Sequence, residues 1–169
     1  MTKRILIFGS SRNDGNTSKI VDYLKQSLDF DLINLNDLNI SHFDYSHKNR
    51  DDDFIPLMKK IIDYQQIIFA TPVYWYTMSG ILKVFFDRLT DCLTIEKELG
   101  RKLRDKQMSV LSTSNDDSQT EEFFLPFILS AEYLGMDYIG NIHTWLENEK
   151  IPDIVKNRIN HFVKLHLTN

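Results

Sequence analysis

Five short apolar runs, Arg4–Phe8, Asp31–Leu35, Ile67–Thr71, Met108–Thr113 and Met136–Ile142, recur along the chain with longer amphipathic stretches between them. Runs of that length are shorter than ordinary helices and suit strands that are buried on both faces. The stretches between them carry the other period. Ile20, Val21, Leu24 and Leu28 share one helical face, as do Ile81, Leu82, Phe85, Phe86 and Leu89, and then Ile154, Val155, Ile159, Phe162 and Val163. Strands alternating with helices predict an α/β fold, a doubly wound five-stranded parallel sheet of order 2-1-3-4-5 with helices on both faces. In that order the connection reverses between the first and third strands, and ligands bind in the crevice opened at the strands' carboxyl ends. Function is therefore expected in the loops after strands one, three and four.

Local signals fit this frame. Ser118 with Glu121 reads as a capping box, and Asp51–Asp53 places acids before a helix that tolerates Pro56 in its first turn. Pro126, inside the helical candidate 118–134, predicts either a kink or a later start. The polar and aromatic stretch Asn36–Arg50 reads as a functional or covering loop.

A length of 169 residues, 42% hydrophobic and 26% charged, predicts one folded domain over residues 1–169. A formal charge of −4 argues against nucleic acid or another polyanion as partner. The run before Gly9 is too short for a signal peptide's apolar region, and no stretch approaches the roughly 18 apolar residues of a membrane span. Cys92 stands alone, so neither an intrachain disulfide nor a thiolate cluster is expected, and a cytoplasmic location follows as the expectation.

The first loop reads Gly9-Ser10-Ser11-Arg12-Asn13-Asp14-Gly15-Asn16-Thr17-Ser18. At a strand-to-helix turn, free backbone N–H groups, hydroxyls and one arginine supply what a phosphate monoester needs. No Gly-Lys-Ser/Thr follows and Gly-x-Gly-x-x-Gly is absent, which counts against nucleoside triphosphates and a Rossmann-type dinucleotide site. The plainer alternative is a polar turn capped by Asn16 or Thr17. A phosphoacceptor receiver domain would need acids at this edge, where the strand ends in Gly-Ser-Ser instead.

The third strand leads into Thr71-Pro72-Val73-Tyr74-Trp75-Tyr76-Thr77-Met78-Ser79-Gly80. Three adjacent aromatics in a loop call for a flat apolar partner, either a ring system or an oligomer interface.

Together the two loops resemble the flavodoxin-like NAD(P)H-dependent FMN reductase and quinone reductase family. Gly9-Ser10-Ser11-Arg12 followed by Gly15-Asn16-Thr17 is similar to its phosphate loop. Thr71-Pro72-Val73-Tyr74-Trp75, with Met78-Ser79-Gly80, Leu82-Lys83 and Phe86-Asp87-Arg88, is similar to its flavin-edge signature. The resemblance implies a flavodoxin-like fold that holds FMN, with Ser10, Arg12, Asn16, Thr17 and Ser18 on the phosphate and Pro72, Val73, Tyr74 and Trp75 along the ring. Ser114 and Asn115, in the loop after strand four, complete the candidate cofactor set. Lys83, Asp87 and Arg88 are assigned to structure.

This sequence departs from many relatives in two places. The region after strand two carries no cysteines, which excludes an iron–sulfur partner cluster. The loop after strand four is not glycine-rich, and its Asp116 and Asp117 would disfavour an approaching nicotinamide phosphate.

The function expected from the resemblance is an FMN-dependent oxidoreductase that takes hydride from NADH or NADPH and reduces a quinone, a nitro or azo compound, or free flavin. No catalytic side chain is expected, because the flavin carries the chemistry. The alternative is a flavodoxin-type electron carrier that docks on protein partners, which Arg12 and the mild charge argue against. His42, Asp44 and His47 match no zinc spacing, so no metal is expected. Cys92 reads as a packed thiol. Tyr74, Trp75, Tyr76 and Trp145 exceed what one flavin covers, which predicts a homodimer. Trp145 and His143 are expected after strand five, with Trp145 facing either a neighbouring subunit or the flavin.

Overall fold

The computed structural model describes residues 2–118 and 121–167. Its strands are β1 (Arg4–Phe8), β2 (Asp31–Asn34), β3 (Gln66–Pro72), β4 (Gln107–Ser114) and β5 (Asp137–Trp145). They pair in parallel in the order β2-β1-β3-β4-β5, the flavodoxin-like order predicted from the alternation of elements. The helices are α1 (Asn16–Leu24), α2 (Phe54–Ile61), α3 (Gly80–Thr94), the short α4 (Lys97–Arg101), α5 (Leu125–Leu134) and α6 (Asp153–Phe162).

Alternation along the strands divides the core into two layers. Ile5, Ile7, Ile67, Phe69, Met108 and Val110 pack under α2, α3 and α5. Leu6, Phe8, Ile68, Ala70 and Leu111 pack on the opposite face under α1 and α6. Apart from Ala70, each side chain so buried contributes roughly 1.5–3 kcal/mol, so the sheet is a rigid platform for the loops at its carboxyl edge.

Two glycines fix close approaches. A Cβ on Gly9 would lie 2.8 Å from the Leu82 Cβ, so the end of β1 passes against α3 only without a side chain. Gly135, at φ 71°, ends α5 in a left-handed cap that L side chains disfavour.

Several boundaries differ from expectation. Leu35 leaves β2 for a 3-10 turn, which Asn34 caps by accepting from the Asn36 backbone N–H at 3.1 Å. β5 runs on to Trp145 because His143, Thr144 and Trp145 stay paired with Ser112, Thr113 and Ser114, so His143 and Trp145 belong to the strand. The helix with Pro126 starts late, at Leu125, which places the proline where a missing N–H costs nothing. Ser118 does not cap it: its hydroxyl donates to the Asp116 carboxylate, and the helix begins without a side-chain cap. Ile154 is 55% exposed because the buried face of α6 is Val155, Ile159 and Phe162, and at about 100° per residue Ile154 lies roughly a quarter to a third of the way round the helix from it.

The segment after β2 is tied to α3 by Arg88, which is fully buried. Its Nε donates to Asp91 at 2.8 Å, its Nη atoms donate to Asp52 and to the carbonyls of Ser41 and Asn49, and its guanidinium lies 4.9 Å over the Phe54 ring. His47 Nδ1 lies 2.9 Å from the other oxygen of Asp91. Burial opposes the charge on Asp52, yet the Arg88 hydrogen bond with the Ser41 and Phe54 amides outweighs it and holds the carboxyl below its ordinary range. Lys83 and Asp87 form a surface ion pair one helical turn apart. Cys92 is buried, and desolvation pushes its thiol up to about 12, which makes it a packing residue.

Candidate functional site

The loops that leave β1, β3 and β4 enclose a cleft of about 270 Å³. Ser10, Arg12, Gly15, Asn16 and Thr17 form one wall, Pro72, Val73 and Tyr74 a second, and Thr113, Ser114 and Asn115 the third. The candidate cofactor residues thus converge on one crevice, except Ser18 and Trp75, which do not line it. Sequence separation of about sixty residues between the first two walls is closed by the β1–β3 pairing.

The first wall is a helix start without its usual plug. Gly15 occupies the N-cap position of α1 with no side-chain cap, and the first turn holds no acid. The expected alternative of a turn capped by Asn16 or Thr17 is therefore not what forms. The first N–H groups of the helix have no intrahelical acceptor, and the helix dipole adds partial positive charge there. Ser10 and Thr17 are buried at the floor, whereas Arg12 is exposed and only loosely paired with Asp14 at 3.7 Å. Ser18 donates its hydroxyl to the Gly15 carbonyl at 2.8 Å within the first turn of α1, which leaves it outside the cleft lining.

The second wall is set by Pro72 and by the Val73 amide, which donates to the Thr113 carbonyl at 2.8 Å. Tyr74 and Thr77 then close a tight hairpin turn through mutual backbone bonds of 2.9 and 3.1 Å. Trp75 and Tyr76 occupy its corners at φ 49° and 62° and point outward, 93% and 84% exposed. The Tyr74 hydroxyl reaches back to Ser11 Oγ at 3.3 Å, joining the first two walls.

The third wall is held by His143, a residue whose role the sequence left open. Its Nδ1 lies 2.9 Å from Ser112 Oγ, and its Nε2 lies 3.1 Å from Ser114 Oγ and 2.9 Å from the Asp116 carbonyl. Desolvation lowers the imidazole pKa despite the neighbouring Asp116 carbonyl and Asp117 charge, which favour the cation. Arg158 clamps Asp117 with two bonds of 2.7 and 2.8 Å and stacks at 4.8 Å on Trp145. Asp117 is therefore a neutralised acid, and of the two aspartates expected to repel a nicotinamide phosphate only Asp116 keeps an unpaired charge near the rim. Trp145 is 6% exposed within the α1–α6 layer, so it faces neither a neighbouring subunit nor the cleft.

Sequence reasoning missed Asn36. Its side-chain amide donates to the Ser10 carbonyl and, at 3.1 Å, to Asn13 Oδ1, which also accepts from Asn34. The expected covering loop 36–50 thus begins as a latch on the first wall and continues as the Arg88-anchored segment. No local pattern in the sequence distinguishes this asparagine from other polar loop residues.

Hydroxyls, free helix-start amides and an arginine at one end of a cleft, with a proline-set aromatic loop along its side, suit a phosphate monoester carried on a flat ring. A model of the NADPH-dependent FMN reductase family matches residues 2–149. The chain belongs to that family. It is accordingly an NAD(P)H-dependent, FMN-containing oxidoreductase.

Relatives of this FMN reductase extend the comparison. YwqN of Bacillus subtilis, whose name assigns it provisionally to the NAD(P)H-dependent FMN-containing oxidoreductases, is 28% identical over 152 residues, 83% of each chain. The fold matches the Trp repressor binding protein of Bacillus subtilis with a TM-score of 0.77 at 22% identity, over 99% of both chains. It also matches general stress protein 14 of Treponema denticola, solved in complex with FMN, with a TM-score of 0.67 at 17% identity over 96% of both chains. No helix among the described residues of the reductase is long and apolar enough to cross a membrane.

Proposed function

We propose that the reductase holds FMN in this cleft and passes hydride equivalents from NADH or NADPH to a small-molecule acceptor, a quinone, a nitro or azo compound, or free flavin. The observation that carries this reading is that the uncapped start of α1 and the Pro72–Tyr74 wall open onto one crevice. Ser10, Arg12, Asn16 and Thr17 take the phosphate, with the Ser18 backbone behind them. Pro72, Val73 and Tyr74 orient the ring, Trp75 stands at its outer edge, and Ser114 and Asn115 bound the opposite side. When bound, FMN supplies hydride acceptance from the nicotinamide and electron delivery to the acceptor. The chain's own groups bind, orient and exclude water, and no side chain has to move a proton.

In this reading residues 1–169 are one domain that works in the cytoplasm as a homodimer, without nucleic acid or membrane as partner. Titration of the purified protein with FMN should quench flavin fluorescence, and anaerobic NADPH or NADH should then bleach the bound flavin. Repeated turnover with a quinone or nitroaromatic is expected. Flavin that binds but resists both nicotinamides, while dithionite reduces it in two one-electron stages, would replace this reading with the electron carrier.

A further inference from the structure

β5 closes one side of the sheet, and its outer edge pairs with no other strand. Between that edge and α6 lies a second cavity of about 270 Å³. Its floor is apolar, made by the buried side chains of Ile142 and Phe162, and its rim carries Asn141, Arg158, His161 and His166. Two local devices shape it. The π-turn Val163–Leu167, wider than the α-helix it continues, brings His166 onto the face that already holds Arg158, His161 and Phe162. The pairing of β5 with β4 also slips past Ile139 in a bulge that leaves Gly140 at φ 140°, and a Cβ there would lie 3.2 Å from the His166 ring. The strand edge is thus hollowed where the imidazole sits.

The polar groups at this rim are donors. Arg158 commits one N–H of each Nη to Asp117 and keeps the others. The Asn141 side-chain oxygen accepts from the Tyr138 hydroxyl at 3.0 Å, which leaves its amide N–H groups to the cavity. His161 and His166 each offer an N–H in either tautomer. His143 also lines the cavity, but both its nitrogens are taken by Ser112, Ser114 and the Asp116 carbonyl, so it adds only its ring. No carboxylate lines the cavity, and nowhere among the described residues do three potential metal ligands gather. Donors without an acid among them favour an anion over a cation. The apolar floor, where the Phe162 and His166 rings lie 5.1 Å apart, favours a flat one.

We propose that this cavity is a second ligand site, for a small carboxylate carried on a single ring, with the ring on Ile142 and Phe162 and the carboxylate among the N–H groups of Arg158, Asn141, His161 and His166. Its volume falls just under the roughly 300 Å³ at which ordinary ligand pockets begin, which admits one ring and not a fused ring system or a nucleotide. None of these four donors lines the FMN cleft, so the inference stands apart from the flavin reading.

The test is titration of FMN-loaded protein with benzoate, followed by saturation-transfer NMR and by the histidine ring resonances, with flavin absorbance recorded in parallel. Benzoate should bind in the millimolar range, move the His161 and His166 signals and leave the flavin bands unchanged. Benzamide, which keeps the ring and loses the charge, should bind about tenfold more weakly, the worth of one charge-assisted hydrogen bond. His161→Glu and Asn141→Asp each set an acid at the exposed rim without disturbing the core, and each should weaken benzoate by roughly tenfold or more while FMN affinity and thermal melt stay at wild type. Benzoate that fails to bind, or that binds both variants as it binds wild type, overturns the site. Benzoate that shifts the flavin bands or displaces FMN belongs to the cleft and overturns it equally. Benzamide bound as tightly as benzoate overturns the preference for an anion, and inorganic phosphate bound as tightly overturns the preference for a ring.

Discussion

His143 and Ser114 meet at the upper end of the sheet, with the imidazole Nε2 3.1 Å from the seryl oxygen, so one residue of an edge strand fixes a wall of the cleft. Burial lowers the imidazole pKa below 6.5, and the neutral ring is the form the fold prefers. The unfolded chain therefore binds more protons in the window between the folded pKa and 6.5, and stability falls as pH drops through that window. Urea unfolding at pH 7 and at pH 5 should show a larger loss for wild type than for His143→Gln. Equal losses would remove His143 from the acid response.

Arg12 offers a test of the phosphate wall. Its side chain is 69% exposed, so its charged hydrogen bond belongs at the low end of roughly 1.5–3 kcal/mol. Arg12→Ala should weaken FMN about tenfold and leave riboflavin nearly unchanged in fluorescence titration. Equal weakening of both ligands would take Arg12 off the phosphate.

Arg88→Met should cost about 3–5 kcal/mol in denaturant unfolding, because it strands the buried carboxylates of Asp52 and Asp91. The cost arises away from the cleft, so FMN affinity of the folded fraction should stay within about threefold of wild type. A loss below about 1 kcal/mol would mean that water reaches those carboxylates.

The turn at Trp75 and Tyr76 sets two bulky residues at positive φ, a geometry in which the second corner favours glycine. Tyr76→Val, β-branched, should lower stability by about 1 kcal/mol, whereas Tyr76→Gly should leave it within about 0.5 kcal/mol of wild type. Thermal melts that rank the two variants the other way would show that the turn does not hold this conformation in solution.

The strands and their order were legible because apolar period and length decide them locally, as in Arg4–Phe8, whose bounds agree with expectation. The phosphate loop was legible because glycine, hydroxyl and arginine chemistry lies in one contiguous stretch. His143, Asn36 and Arg158 were not, since each acts on a loop far away in sequence: 27 residues separate His143 from Asp116, and 41 separate Arg158 from Asp117. The end of β5 was misplaced because Thr144 and Trp145 owe their strand conformation to pairing with β4 and not to a pattern of their own. The start of α5 was ambiguous until tertiary packing placed Pro126 in its first turn.

Each wall of the cleft is fastened to a part of the chain that lies outside it: the first through Asn36, the second through the Val73 amide on Thr113, the third through His143 and Arg158. The receptacle's shape is thus stored in the polypeptide, and its ordering entropy is charged to folding rather than to ligand capture. Entry then resembles a key meeting a finished lock, and association should be a single exponential, first order in FMN, without a slow unimolecular phase.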